Sequence, residues 1–371
     1  MSKPHILVVD NSVATTGSIV SSIRACSALS GHYDFIFVVP ARSTITRLVR
    51  DAGFAVEEIP YIEIGRSWKL LIYLPVLAIN LFRFRRIIRR HRPSLIVVND
   101  FYNLLAAVYR LTGGAVPYVT FVRFVPERFP ALLVGAWCRL HYSLAERIIA
   151  VSHTVARNLS GPNVTTIHDQ HPGDRFGPFP YDTESCIILY MANYIPGKGQ
   201  QHAIRAMAQL APDFPGWTIR FVGGDMGLEK NRRFRIMQQQ LAAELGIESI
   251  VTFGGSVNDV VPEYRAAALV LNFSESESFS LTCLEAMAVG RPTVATRCGG
   301  PEEIITPGID GELVERGNVP DMVAAMKKLM GDRQLRKLYG QRAAGSVRSK
   351  FNADNTTGLL EQLYREVLSS H

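Results

Sequence analysis

Residues 273–303 read FSESESFSLTCLEAMAVGRPTVATRCGGPEE, the most informative stretch of the chain. An apolar run at 269–273 feeds a loop of small polar residues. A helical pattern opens near Leu281 and stops at Gly290. A second short apolar run follows at 293–295, and Gly299-Gly300 turns the chain again. Strand, loop, helix and strand in that order predict a parallel α/β sheet, whose ligand sites lie in loops at the carboxyl ends of strands. Two glutamates, Glu277 and Glu285, sit in the stretch with seven residues between them.

The first amide groups of a helix have no intrahelical partner and stand at the positive end of its dipole, so a diphosphate docks there. Ser280 or Thr282 caps this helix and aims those amides at the loop. Ser278, Phe279, Ser280, Leu281 and Thr282 then line the phosphate side. A carboxylate accepts two hydrogen bonds from a vicinal diol, each worth about 1.5–3 kcal/mol. Glu285, a turn into the helix, is placed to grip a ribose. Glu277, on the loop, is placed to face a sugar. The arrangement suits a nucleotide sugar. A plainer reading stands beside it: Thr282-Cys283-Leu284-Glu285 is also a capping-box pattern, and Glu277 a solvated carboxylate.

The stretch resembles the signature of the retaining GT-B glycosyltransferases with a Glu-x7-Glu motif (glycosyltransferase family 4, glycosyl transferases group 1). Ser274, Glu277, Phe279, Leu281, Leu284, Glu285, Ala286, Met287, Ala288, Gly290, Pro292, Val294, Ala295, Thr296, Gly299, Gly300 and Glu303 match that pattern. Ser280 departs from it, standing where the family usually has glycine. The resemblance implies an α/β, GT-B chain of two Rossmann-like, doubly wound domains facing across a cleft. Residues 1–175 would bind the acceptor, with a C-terminal helix at 353–371 packing back on them. Residues 182–350 would bind the nucleotide sugar.

Composition agrees with an ordinary globular protein: of 371 residues, 47% are hydrophobic and 20% charged, ample for two domains. A net charge of +7 and a pI of about 9.2 suit a phosphate-bearing partner. No nucleic-acid-binding motif appears, so nucleic acid is not an expected partner. Five cysteines lack C-x-x-C spacing, which points to a reduced compartment and no metal. The opening MSKPHILVVDNS reads as a strand rather than a signal peptide, and no apolar run reaches the ~18 residues of a membrane span. The expected location is cytoplasmic, with a peripheral place on the inner face of the cell membrane.

In the first half, strands are expected at 6–9, 33–39, 54–59, 95–98, 118–121 and 148–151, alternating with helices. Their following loops hold Asn11, Gly17, Asp100 and Arg123 as candidate acceptor-binding residues. The first loop has only Gly17 and no G-x-G-x-x-G, which argues against a dinucleotide oxidoreductase. Arg123 falls where the family often has histidine; it either binds an acidic acceptor or is a buried structural arginine. Residues 68–92, WKLLIYLPVLAINLFRFRRIIRRHR, carry Leu74, Leu77, Leu81, Phe84 and Ile88 at helical spacing and six arginines toward the end. Two readings stand: a core-packed helix with a basic outer face, or a helix lying in an anionic membrane surface.

Residues 168–180 have the composition of a linker and resemble the family's hinge; His168 and His171 within it read as loop residues rather than metal ligands. After a strand at 186–192, Asn193-Tyr194-Ile195-Pro196-Gly197-Lys198-Gly199 resembles the family's G-R-L-x-x-x-K-G. Lys198 is placed to neutralise a diphosphate, while Asn193 stands where the family has arginine. Gly224 and Gly255 end later strands and line a base pocket. The last helix is expected at 355–368.

The resemblance implies transfer of a hexose from a UDP- or GDP-sugar to a hydroxyl, on a glycan or lipid-linked acceptor of polysaccharide or lipopolysaccharide synthesis. Glu277 and Lys198 would be catalytic, Glu285 would hold the ribose, and Glu303 with Gly299-Gly300 would close the pocket. No cofactor is expected, and the lack of an Asp-x-Asp pair at a strand end fits metal independence. A nucleotide-sugar-binding module without turnover and a GT-B sugar-nucleotide epimerase remain as alternatives.

Overall fold

The computed structural model describes residues 3–60, 69–125 and 131–371. The chain forms two compact units, Met1–Gln170 with Asp354–His371, and His171–Ala353.

The first unit is a parallel sheet built from β1 (His5–Asp10), β2 (Asp34–Pro40), β3 (Ala55–Ile59), β4 (Leu95–Asn99), β5 (Tyr118–Val122), β6 (Arg147–Ala150) and β7 (Val164–Thr166). They lie in the order β3-β2-β1-β4-β5-β6-β7. The central strands β1, β4 and β5 are mostly apolar and, His5 apart, buried along their length because helices cover both faces of the sheet. The helices are α1 (Gly17–Leu29), α2 (Ile45–Asp51), α3 (Lys69–His91), α4 (Leu105–Leu111), α5 (Ala131–Leu144) and the single turn α6 (His153–Ala156). The short edge strand β7 carries no apolar run and is absent from the sequence expectation.

The helix read at 68–92 is α3, although Trp68 lies outside the described residues, as do residues 126–128 of the loop that follows Arg123. Phe84, Ile87 and Ile88 are buried against the unit, with Phe84 edge-on to Tyr109 at 5.7 Å. The stripe holding Phe84 and Ile88 therefore faces the protein core, not a membrane. A second stripe faces outward: Ile79 and Phe82 are exposed at 49% and 70%, followed by Arg83, Arg86 and Arg89. No described helix is long and apolar enough to cross a membrane.

The second unit repeats the design with β8 (Ile187–Met191), β9 (Thr218–Val222), β10 (Val251–Phe253), β11 (Leu269–Asn272), β12 (Thr293–Thr296) and β13 (Glu312–Val314), in the order β10-β9-β8-β11-β12-β13. Its helices are α7 (Gln200–Leu210), α8 (Glu229–Glu244), α9 (Val261–Ala266), α10 (Leu281–Ala288), α11 (Pro301–Ile304), α12 (Val319–Gly331) and α13 (Arg333–Lys350). The segment read as a linker begins in the first unit and packs on this one from His171 onward. His171 donates its amide to Phe351 O (2.8 Å), Phe179 donates to Val289 O (3.2 Å), and Phe176 is buried. The final helix α14 (Ala353–Ser369) belongs to the first unit, where Tyr364 meets Tyr33 edge-on at 5.9 Å and Thr357 bonds Gln170 (2.9 Å).

Candidate active site

Each sheet changes direction once. In the second unit the chain builds outward from β8 through β9 to β10, then crosses to β11 on the other side of β8. The crevice beyond the carboxyl ends of β8 and β11 is thus a topological switch point, where α/β sheets bind ligands. The loops leaving those two strands are the two that the sequence singles out, around Lys198 and around Glu277.

They are fastened together. Glu275 donates its amide to Gly197 O (2.9 Å). Gly199, with φ 75°, lies so close that a Cβ there would come within 1.9 Å of Phe273 O. Tyr190, inside β8, donates its hydroxyl to Lys198 O (2.5 Å) and accepts the amide of Phe273 (2.8 Å). The consequence is a direct ion pair: Lys198 Nζ stands 2.7 Å from Glu277 Oε1, and Ser274 Oγ donates to the same oxygen at 2.7 Å. Burial by itself would raise the Glu277 carboxyl. Lys198, with hydrogen bonds from Ser274 and Asn272, outweighs it and holds the group below its ordinary value, so it is an anion at neutral pH.

The backbone of Glu277 is held as firmly. Its amide donates to Cys298 O (3.0 Å), and Gly300 donates to Glu277 O (2.9 Å). Gly300 is pressed against Phe279, where a Cβ would meet backbone at 2.2 Å. Phe279 itself is buried edge-on to Phe351 at 5.3 Å. The double-glycine turn therefore seats Glu277 and leads straight into α11, which carries Glu303.

Ser280 is the N-cap of α10, and its hydroxyl accepts from the amide of Cys283 (3.4 Å). Thr282 is already the second helical residue and bonds Met191 O (3.2 Å). The capping-box reading of Thr282 and Glu285 is thereby overturned. Ser280 has φ 83°, a left-handed conformation that costs a non-glycine residue about 1–2 kcal/mol. The side chain offsets this by capping and by accepting a bond from Asn272 Nδ2 (2.8 Å), so serine stands where the family pattern has glycine. Ser278, Leu281 and Thr282 are half-buried along the loop and the helix mouth.

Glu285 lies one turn into α10, buried, and accepts from the Tyr264 hydroxyl at 3.1 Å. Asn193 performs a bracing role: its Oδ1 accepts the amide of Gly224 (2.9 Å), joining the loops after β8 and β9. Gly255 O accepts from the amide of Gly223 (3.1 Å) and joins the next loop to them. The structure thus gathers Lys198, Glu277 and the mouth of α10 around one crevice, with Glu285 behind that mouth. It gives Asn193, Gly224 and Gly255 one shared set of loops.

In the first unit the switch point lies between β1 and β4. Asn11 is half-buried beside it and Gly17 opens α1. Asp10 and Asn99, ending the two strands, bond each other through their side chains. Arg123 is buried: its Nε donates to Asn99 Oδ1 (2.6 Å), its NH1 pairs with Asp169 Oδ1 (2.6 Å), and its amide reaches Asp100 Oδ1 (3.1 Å). Its guanidinium is thus engaged with the unit's own groups. Sequence reasoning missed Tyr190 and Tyr264, which bond Phe273 and Glu285 at separations of 83 and 21 residues, and Asn272, which bonds Ser280 across the loop. Only the polar end of the otherwise apolar β11 hinted at Asn272.

Comparison with known proteins places these two units. The family described as Glycosyltransferase Family 4 matches residues 25–177, and that described as Glycosyl transferases group 1 matches residues 176–345. Over 185 residues the chain is 36% identical to an exopolysaccharide phosphotransferase, SCO2592, of Streptomyces coelicolor, covering 49% of this chain and 19% of that protein. Over 192 residues it is 32% identical to the D-inositol 3-phosphate glycosyltransferase of Acidothermus cellulolyticus, covering 50% of this chain and 42% of that protein. The chain thus spans less than half the length of either relative. The crystal structure of Anabaena Alr3699/HepE in complex with UDP-glucose matches with a TM-score of 0.83 at 21% identity, over 99% of this chain and 100% of that one. Each unit thus matches its own family model, Glycosyltransferase Family 4 on the first and Glycosyl transferases group 1 on the second, and the chain shares the GT-B fold of its structural neighbours over 99% of its length.

Proposed function

We propose that this chain transfers a hexose from a nucleoside diphosphate sugar, UDP- or GDP-linked, to a hydroxyl of a glycan or lipid-linked acceptor, with retention of anomeric configuration. The observation that carries this reading is the Lys198–Glu277 ion pair, 2.7 Å long, at the switch point beside the mouth of α10. Cleaving the sugar–phosphate bond leaves new negative charge on the diphosphate. A cation and helix-start amides fixed beforehand stabilise that charge without reorganisation. Lys198 and the amides of Leu281 and Thr282 supply both. Glu277, kept anionic, orients the sugar, and Glu285 holds the ribose. Asn193, Gly224 and Gly255 surround the base, and Glu303 closes the pocket. The HepE complex with UDP-glucose and the relatives named as glycosyltransferases support this choice of donor.

The acceptor approaches the carboxyl ends of β1 and β4, where Asn11, Gly17 and Asp100 stand, with Arg123 bracing that floor. The exposed stripe of α3 lies on the inner face of an anionic membrane. A thermal-shift panel of UDP-, GDP- and ADP-sugars tests the donor, since a ligand of the native state raises its melting temperature. A UDP- or GDP-sugar is expected to raise it, and slow donor hydrolysis by the pure protein is expected to fall about 100-fold in Lys198→Ala. A cooperatively melting protein that responds to none of these donors would end the reading.

A further inference from the structure

Tyr264 has no part in the chemistry so far, yet its position is closely determined. It sits on α9, a six-residue helix that precedes the 273–303 stretch, and its side chain is fully buried. Its hydroxyl donates to Glu285 Oε2 at 3.1 Å and stands 3.5 Å from Thr282 O in the same helix. Its backbone is fixed as well. The buried guanidinium of Arg291 donates to Tyr264 O (3.0 Å) and Arg265 O (2.9 Å), securing the end of α9. The same guanidinium reaches Pro180 O (3.2 Å) and Gly290 O (3.3 Å), just past the end of α10. Arg291 thus fastens α9 to the end of the helix that carries Glu285, and the Tyr264 phenol joins the two helices again at the carboxylate.

A carboxylate on a flexible stem grips a diol poorly, because each free rotation must be frozen when the ligand binds. An oxygen anchored by a rigid phenol fixes the direction in which the whole carboxylate is presented. We propose that Tyr264 is a positioning residue that orients Glu285 for the ribose diol of the donor, so that the enzyme discriminates a ribonucleotide from its 2′-deoxy counterpart. This rests on the ribose role given to Glu285 above.

The test is calorimetric titration of UDP and GDP, and of dUDP and dGDP, into the wild type and into Tyr264→Phe, Glu285→Gln and the double variant. Phenylalanine keeps the ring that fills the buried site and removes only the hydroxyl. For the base the enzyme accepts, the wild type should bind the ribonucleotide about tenfold more tightly than the deoxynucleotide. Tyr264→Phe should lose most of that ratio by weakening the ribonucleotide several-fold more than the deoxynucleotide, which keeps only its 3′-hydroxyl. An unchanged melting temperature would report an intact fold. The double variant should be no weaker than Glu285→Gln, since both act through one carboxylate. A Tyr264→Phe protein with wild-type discrimination, beside a Glu285→Gln protein without it, overturns the positioning role alone. So does equal weakening of both nucleotides by Tyr264→Phe, which marks a structural role. Undiminished discrimination in Glu285→Gln, or a wild type that binds neither ribonucleotide, overturns the ribose reading beneath it.

Discussion

Asp100 follows β4 with φ 112°, a left-handed backbone for a non-glycine residue, and is almost wholly buried. Its Oδ1 accepts two amides, from Arg123 (3.1 Å) and from Phe101 (3.2 Å). Burial pushes its carboxyl up to about 7, against the opposing pull of Arg123 and the Phe101 amide. Burial raises the Asp10 carboxyl as well, so one guanidinium serves a floor of three acids, Asp10, Asp100 and Asp169. In the unfolded chain an aspartate titrates near 3.9. Between about 4 and about 7 the native state therefore keeps a proton on Asp100 that the unfolded state has released. Stability contributed here falls as pH rises through that window and is level above it. His141, drawn down to about 4 by burial, tilts the curve the other way, but it is common to wild type and variant. The melting temperature of Asp100→Asn relative to wild type should thus climb from pH 4 to 7 and then stay constant. A gap independent of pH would show that Asp100 ionises normally. The sequence marked Asp100 as a polar residue at a strand end. It held no sign of the titration, which comes from burial by elements far along the chain.

The helix α3 shows how far periodicity reaches. Spacing predicted a helix and one apolar stripe, and both are present. It left open what that stripe faces, because a membrane interior and a protein core are equally apolar. Phe84 and Ile88 settled on the core. The outward stripe of Ile79, Phe82, Arg83, Arg86 and Arg89 places exposed aromatic and aliphatic groups beside cations, the pattern of an interfacial helix. Vesicles of phosphatidylglycerol should therefore sediment the protein, vesicles of phosphatidylcholine should not, and Phe82→Asp should weaken the binding several-fold. Since Phe82 is 70% exposed, the substitution should leave the melting temperature within about 2 °C of wild type. Equal binding by wild type and Phe82→Asp would remove this stripe from the membrane reading. In α10 the sequence offered two caps, Ser280 and Thr282, separated by two positions. The choice fell to Ser280 because Asn272 and the backbone past β11 hold it there.

At the scale of the molecule, the chain leaves its first unit after Gln170 and returns to it at Asp354. The returning helix α14 buries Leu360, Leu363, Tyr364 and Val367. Each such side chain contributes about 1.5–3 kcal/mol, so together they rival the net stability of a typical domain, about 5–15 kcal/mol. A chain ending at Asn352 should lose hydrogen-exchange protection in β1 and β2 while β8 and β11 keep theirs. Undiminished protection in β1 and β2 would make α14 dispensable. By itself the sequence determined the alternation of strands and helices, the two similar halves and the stretch that carries both glutamates. Those features are local: periodicity, glycine stops and helix starts act within a few residues. Only the tertiary structure decided that Lys198 pairs with Glu277, that Tyr264 reaches Glu285 and that Arg123 serves its own unit's acids. Those pairs stand 79, 21 and up to 46 residues apart, and strand order, which local sequence does not encode, brings their loops together.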